Sequence, residues 1–285
     1  MLTLFTLLFS ICLALSIPLS DVLAIRYVAD KQLDYGKSRL WGSVGFLVGT
    51  LVAGYAIDYA GYDVILWIMI AGLVVTLGYA MKTPFPAIST AKSGTSSSSW
   101  TLKRILLNRE VQWLLLVTSI IHGSHAALYG FSVIHWQRLG IDPAVIGYFW
   151  ALGVVAEVIL FNFAWWFREA LSVRAMLVVA SLGVVVRWWI LGAASQIELI
   201  LFAQTLHAFT FGICHIAVTQ YIQMKPQAMS IPLQAVYNAL PASAAIGLMT
   251  SFTGFYFDDF GGGVFYGMAA MGLVALLLCA FQPKP

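Results

Sequence analysis

The sequence predicts an all-α membrane protein, a helical bundle with nine transmembrane helices. Three observations carry the prediction. Of 285 residues, 61% are hydrophobic and 9% charged, where a soluble domain carries about 25% charged residues. The mean hydropathy is +0.88, so too few polar side chains exist to cover a water-facing surface. The apolar residues fall into runs close to the roughly 20 residues that a helix needs to cross a bilayer.

In chain order the runs occupy residues 2–25, 40–57, 64–81, 112–132, 145–167, 176–194, 199–223, 234–257 and 263–281. Helices are the required solution, because no water is present in hydrocarbon to satisfy a backbone N–H or C=O. Residues 2–25 have no preceding Lys or Arg. A signal peptide has a basic start and a shorter apolar core, so this run is read as a span. The second run carries Gly42, Gly45, Gly49 and Gly54. Its Gly45/Gly49 pair is a GxxxG, the pattern of close helix packing. The loop after the third run contains Gly94 and serines at 96–99, the composition of a flexible linker. The expected organisation is a partial first bundle over 1–81, a cytoplasmic linker over 82–111 and a six-helix bundle over 112–285. Before the fifth run, Asp142 and Pro143 read as an N-cap followed by proline at the first helical position.

Charge gives the orientation. Every Lys and Arg except Arg138 and Arg187 lies beyond an odd-numbered run, from Arg26, Lys31, Lys37 and Arg39 through to Lys225 and Lys284. The opposite loops carry Asp58, Asp63, Asp142, Glu198, Asp258 and Asp259. The positive-inside rule makes the basic side cytoplasmic, with the C-terminus inside and the N-terminus outside. The net charge of +3 comes with no basic run, which gives nucleic acid no landing surface. Cys12, Cys214 and Cys279 lie in apolar runs and read as small buried residues rather than disulfide partners.

The informative residues are polar ones deep inside the runs. Glu157 is near the middle of the fifth run, Arg187 of the sixth, and His122 and His125 of the fourth; His207 and His215 lie in the seventh. A charge at the bilayer centre costs about 2.5–3.5 kcal/mol on insertion scales and persists where it pairs or lines a polar cavity. Glu157 and Arg187 sit at similar depth on consecutive antiparallel helices, which predicts a charge pair or a shared network. Histidine titrates near pH 6.5 and suits reversible protonation. His122 and His125 share one helix face with Tyr129 a turn further on, and His207 and His215 return to roughly one face. A purely structural ion pair and hydrogen-bonded interior histidines are the plainer alternative. No Cys or carboxylate accompanies the HxxH at ligand spacing, so no metal is expected. No cofactor motif is present, and the absence of a nucleophile elbow, P-loop or HExxH speaks against an enzyme.

Several segments then resemble a known family. Asp34-Tyr35-Gly36-Lys37-Ser38-Arg39-Leu40-Trp41-Gly42-Ser43 is similar to a loop signature of one branch of the major facilitator superfamily. His122, the stretch from His125-Ala126-Ala127-Leu128-Tyr129 to Ser132, and Trp136-Gln137 resemble the 3-phenylpropionate transporter family. So do Gly147-Tyr148, Glu157, Val186-Arg187-Trp188, His207 to His215, and Leu233-Gln234-Ala235-Val236-Tyr237. The resemblance implies a twelve-helix permease of two six-helix halves, with the runs here matching helices four to twelve. It implies proton symport of a small aromatic carboxylate, an organic anion such as 3-phenylpropionate. Glu157, Arg187 and His207 match in order the Glu, Arg and His of related proton-coupled sugar symporters. The second Glu of those symporters is here Thr210, so a proton must fall on Glu157 or a histidine. Under this reading Arg187 takes the carboxylate, His207 or His125 relays the proton, and Tyr129, Trp150 and Trp188 flank the ring. The competing expectation is a shortened, non-transporting remnant or a membrane-embedded binding or assembly partner, since three helices of the first half have no counterpart.

Overall fold

A computed structural model describes residues 35–82 and 102–283, and among them every regular element is helical. The described residues fall into two compact units divided between Gly49 and Thr50. Helix α1 spans Tyr35–Ala60 and α2 spans Val64–Lys82; between them Gly61 takes a left-handed φ of +77°. No residue of α2 is buried, so its apolar surface faces outward all round, as a lipid-facing helix does.

The remaining helices build the core. They are α3 (Leu102–Leu106), α4 (Arg109–Gly123), α5 (Ala126–Arg138), α6 (Pro143–Asn162), α7 (Ala164–Ala170), α8 (Val173–Ala193) and α9 (Ile197–Thr205). A π-helical segment, Ala208–Ile213, leads into α10 (Cys214–Gln223). Then come α11 (Gln227–Ala239), a second π segment at Leu240–Ala244, α12 (Ala245–Phe260), a 3₁₀ turn at Gly261–Gly263 and α13 (Val264–Ala280). Polar side chains set several starts. Asn108 accepts from the Val111 N–H at 3.2 Å and Ser172 from that of Ala175 at 3.2 Å, each cap contributing about 1 kcal/mol. Asp142 occupies the cap position ahead of Pro143, but its side chain makes no cap hydrogen bond; the proline alone marks that start.

Among the described residues seven helical segments are long and apolar enough to cross a membrane, the last being Pro232–Ala280. The expected run at 2–25 lies outside the described residues. The last segment has 49 residues, about 74 Å at 1.5 Å per residue against a hydrocarbon core of about 30 Å. It covers both the 234–257 and 263–281 runs and is interrupted where Gly261 adopts φ +51°.

Glycines set the closest contacts. A Cβ on Gly272 of α13 would stand 2.9 Å from the Val185 backbone nitrogen of α8, and one on Gly54 would stand 2.9 Å from the Pro143 carbonyl. The GxxxG reading points elsewhere: among the described residues nothing lies within 4 Å of a Cβ built on Gly45 or Gly49.

Candidate functional site

Two helix interruptions create the site. The first lies between α4 and α5, where the run expected to be one helix breaks at Ser124 and His125. Ser124 Oγ donates to the Ile121 carbonyl at 2.6 Å and accepts from Trp188 Nε1 at 3.0 Å. The second is the π segment Ala208–Ile213, bounded by His207. A π turn holds an extra residue and re-aims the side chains around it. Gly212 is part of the reason it fits, because a Cβ there would meet the Leu160 Cδ2 methyl at 2.6 Å.

Arg187 of α8 is fully buried. Its Nη1 donates to His207 Nδ1 at 2.9 Å and to Thr210 Oγ1 at 3.0 Å, and its Nη2 donates to Gln204 Oε1 at 2.9 Å. All three acceptors are neutral. Glu157 of α6 reaches the other side of His207, with Oε2 3.4 Å from Nε2. Glu157 and Arg187 are therefore not in direct contact; of the two arrangements expected, the shared network is the one formed, with His207 between them.

Donor and acceptor roles follow from chemistry. A guanidinium only donates, so His207 Nδ1 accepts and any proton on that ring sits at Nε2, facing Glu157. His125 Nδ1 lies 3.0 Å from the Ile121 carbonyl and must donate to it. His125 Nε2 then accepts from Thr210 Oγ1 at 3.1 Å. Thr210 passes its hydroxyl hydrogen to His125 and offers its lone pairs to Arg187. One chain of contacts runs from Glu157 through His207 and Arg187 to Thr210 and His125.

His122 belongs to a neighbouring group. Its Nε2 lies 2.7 Å from the Tyr237 hydroxyl and 3.8 Å from Cys214 Sγ. Phe211 joins the two groups, with its ring centroid 5.3 Å from those of His122 and His207, 6.1 Å from His125 and 6.3 Å from His215. His215 thus enters as the far rung of a stack, parallel to Phe211 within 3°. Tyr129 stacks on His125 at 5.9 Å and on Trp150 at 5.9 Å. It leaves 40% of its surface open, making it the exposed lip of a cluster whose Arg187, His122 and His125 are buried. Trp188 meets His125 edge-on at 5.2 Å.

The expected residues thus gather around one centre. Gln204, Thr210 and Phe211 join them without having been assigned a role. Gln204 and Thr210 flank His207 at helical spacing in an apolar run, which is the signal that finds them in retrospect. Phe211 looks like any apolar residue of its run.

Seven long apolar helical segments among the described residues, packed around buried polar groups, are the architecture of a multi-pass membrane protein. Comparison with known proteins agrees. A family model described as "MFS_1 like family" matches residues 1–268. The chain is 38% identical over 269 residues to the "Probable 3-phenylpropionic acid transporter" of Escherichia coli (strain K12), covering 94% of this chain and 70% of that protein. It is 22% identical over 273 residues to the "Maltose permease" of Geobacillus stearothermophilus, covering 94% of this chain and 68% of the permease. It is also 22% identical over 262 residues to the "Uncharacterized transporter YwbF" of Bacillus subtilis (strain 168), covering 92% of this chain and 63% of that protein. The chain belongs to the MFS_1 like family.

Proposed function

We propose that the protein is a proton symporter of a small aromatic monocarboxylate, of which 3-phenylpropionate is the leading example. The observation that carries this reading is the state of Arg187: a fully buried guanidinium whose hydrogen-bond acceptors are all neutral. A buried cation calls for an anion, and the nearby Glu157 is held off by the width of an imidazole. A substrate carboxylate fills that role. Its arrival adds one negative charge to a site that already holds Glu157, and a proton taken up at the Glu157–His207 contact restores the balance. Charge balance supports uptake of anion and proton together.

The remaining residues take supporting roles. His125 extends the relay through Thr210, while His122 and His215, linked through Phe211, complete the titratable set. Tyr129 and Trp150 form the platform on which an aromatic ring stacks. The likeness to the E. coli protein supports this substrate class, and the basic loops support an inner-membrane orientation with the C-terminus cytoplasmic. Alternating access then consists of rocking about this central site.

The test is uptake of radiolabelled 3-phenylpropionate into vesicles under an imposed pH gradient. Glu157→Gln is expected to abolish accumulation driven by the gradient while retaining exchange of internal for external substrate. Arg187→Ala is expected to lose binding by about 10- to 100-fold, the worth of a hydrogen bond to a charged group. Full uptake by both variants would sink the assigned roles. Binding without uptake in the unaltered chain would favour the assembly-partner reading.

A further inference from the structure

Around Arg187 two buried donors have no hydrogen-bond partner among the described residues: Arg187 Nε and Gln204 Nε2. Neither is at the surface, with Arg187 0% and Gln204 3% exposed. A buried N–H without a partner carries a full desolvation penalty, and native proteins seldom leave one without a use. The two donors are coupled, because Gln204 Oε1 accepts from Arg187 Nη2 at 2.9 Å. That bond also fixes the amide's orientation. Only the carbonyl oxygen can face a guanidinium, so the NH₂ must point away from Nη2. Nε and Nη2 share one edge of the planar guanidinium, the edge that carboxylates engage in bidentate fashion. Gln204 holds the Nη2 end of that edge and contributes an NH₂ of its own.

We propose that Gln204 is a direct ligand of the substrate carboxylate. Its Nε2–H and Arg187 Nε–H supply two donors to the carboxylate oxygens, one neutral and one charged. The inference rests on the carboxylate reading of the site and adds a second recognition residue to it. An isolated cation attracts any anion, whereas an added amide donor with fixed orientation selects an acceptor-only group. The site is thereby set against a primary amide of the same shape, which has one acceptor oxygen where the carboxylate has two and would turn its own NH₂ toward one of the two donors.

Gln204→Glu separates this role from simple support of Arg187. The variant keeps an oxygen acceptor for Arg187 Nη2 and replaces the donor by a second acceptor. The probes are 3-phenylpropionate and its primary amide, 3-phenylpropanamide, with binding measured on purified protein in detergent. The unaltered protein is expected to prefer the acid. The variant is expected to lose roughly tenfold or more in affinity for the acid, as for one charged hydrogen bond, and to bind the amide more tightly than the unaltered protein does. Gln204→Met, of similar volume and without either function, is expected to weaken the acid and gain nothing for the amide. Unchanged acid binding in both variants would overturn the proposal. So would loss of the acid in Gln204→Glu with no gain for the amide, which would make Gln204 a positioning residue for Arg187. Failure of the unaltered protein to bind the acid would instead overturn the carboxylate reading itself, and with it this inference.

Discussion

Arg187 illustrates how a charged side chain survives in an apolar bundle. Its Nη1 and Nη2 groups meet His207, Thr210 and Gln204, so most of the hydration it gave up is replaced. Thr210 matters most among these partners because it serves two neighbours. Its oxygen accepts from Arg187 at 3.0 Å and its hydrogen reaches His125 at 3.1 Å. Thr210→Val keeps the shape and removes both bonds together with the 3.3 Å contact of the hydroxyl to the His207 carbonyl, leaving His125 Nε2 unpaired. The variant is expected to lose about 1–3 kcal/mol of stability, the cost of stranding buried polar groups. Thr210→Ser keeps the hydroxyl and is expected to stay within about 1 kcal/mol of the unaltered protein, the remaining loss being one buried methyl. Unfolding in detergent checks the pair. Equal losses in both would show that the methyl, not the hydroxyl, matters.

At the scale of elements, interruptions and close contacts decide where those residues meet. The break at Ser124–His125 and the π turn after His207 bring the two histidine pairs to a common centre around Phe211. An unbroken α-helix across 199–223 would turn by about 800° between His207 and His215, leaving them about 80° apart. The π turn holds more residues per turn, and the rings at 207, 211 and 215 form a ladder instead. Helix α8, which carries Arg187, is held by α13 through Gly272. Gly272→Ala would drive a methyl against the Val184 Cγ1 methyl at 2.7 Å and the Val185 backbone nitrogen at 2.9 Å. Backbone cannot move aside as a side-chain tip does, so overpacking of about 1–3 kcal/mol is expected, with a shift of Arg187 and a matching loss of transport. Gly267→Ala, on the same helix with nothing within 4 Å, is the control and is expected to be near neutral. A lowered melting temperature in the control alone would contradict the packing argument.

At the scale of the whole molecule, the proposed membrane orientation rests on the distribution of Lys and Arg and is open to a direct check. Leu107 and Leu139 are both exposed, at 65% and 41%, and lie in loops at opposite ends of helical segments. Cysteine at position 107 is expected to react with an impermeant maleimide only from the cytoplasmic side, and cysteine at 139 only from outside. Native Cys214 and Cys279 are fully buried and leave the assay clean once Cys12 is replaced by serine. Labelling of both positions from the same side would refute the orientation.

Reading the chain alone located the apolar runs, the loop charges and the Glu, Arg and His side chains that the structure brings together, because an ionisable residue in hydrocarbon stands out by its cost; it gave Tyr237 and Cys214 no place beside His122. It did not foresee that His207 separates Glu157 from Arg187. Depth along two neighbouring helices is legible in sequence, but rotation about their axes is not. Nor did it foresee the close approach of Gly54 to Pro143: small residues permit close contact without specifying the partner.

The sequence by itself determined that this is a helical membrane protein and which polar residues its interior must accommodate, since both are set by the local cost of moving a side chain or peptide from water into lipid. Tertiary structure alone decided the network: the π turn that re-aims His207, the neutral setting of Arg187, and the two unpartnered donors at Arg187 and Gln204. The physical reason is that a hydrogen bond depends on distances of about 3 Å and on direction, which only the packing of several helices fixes.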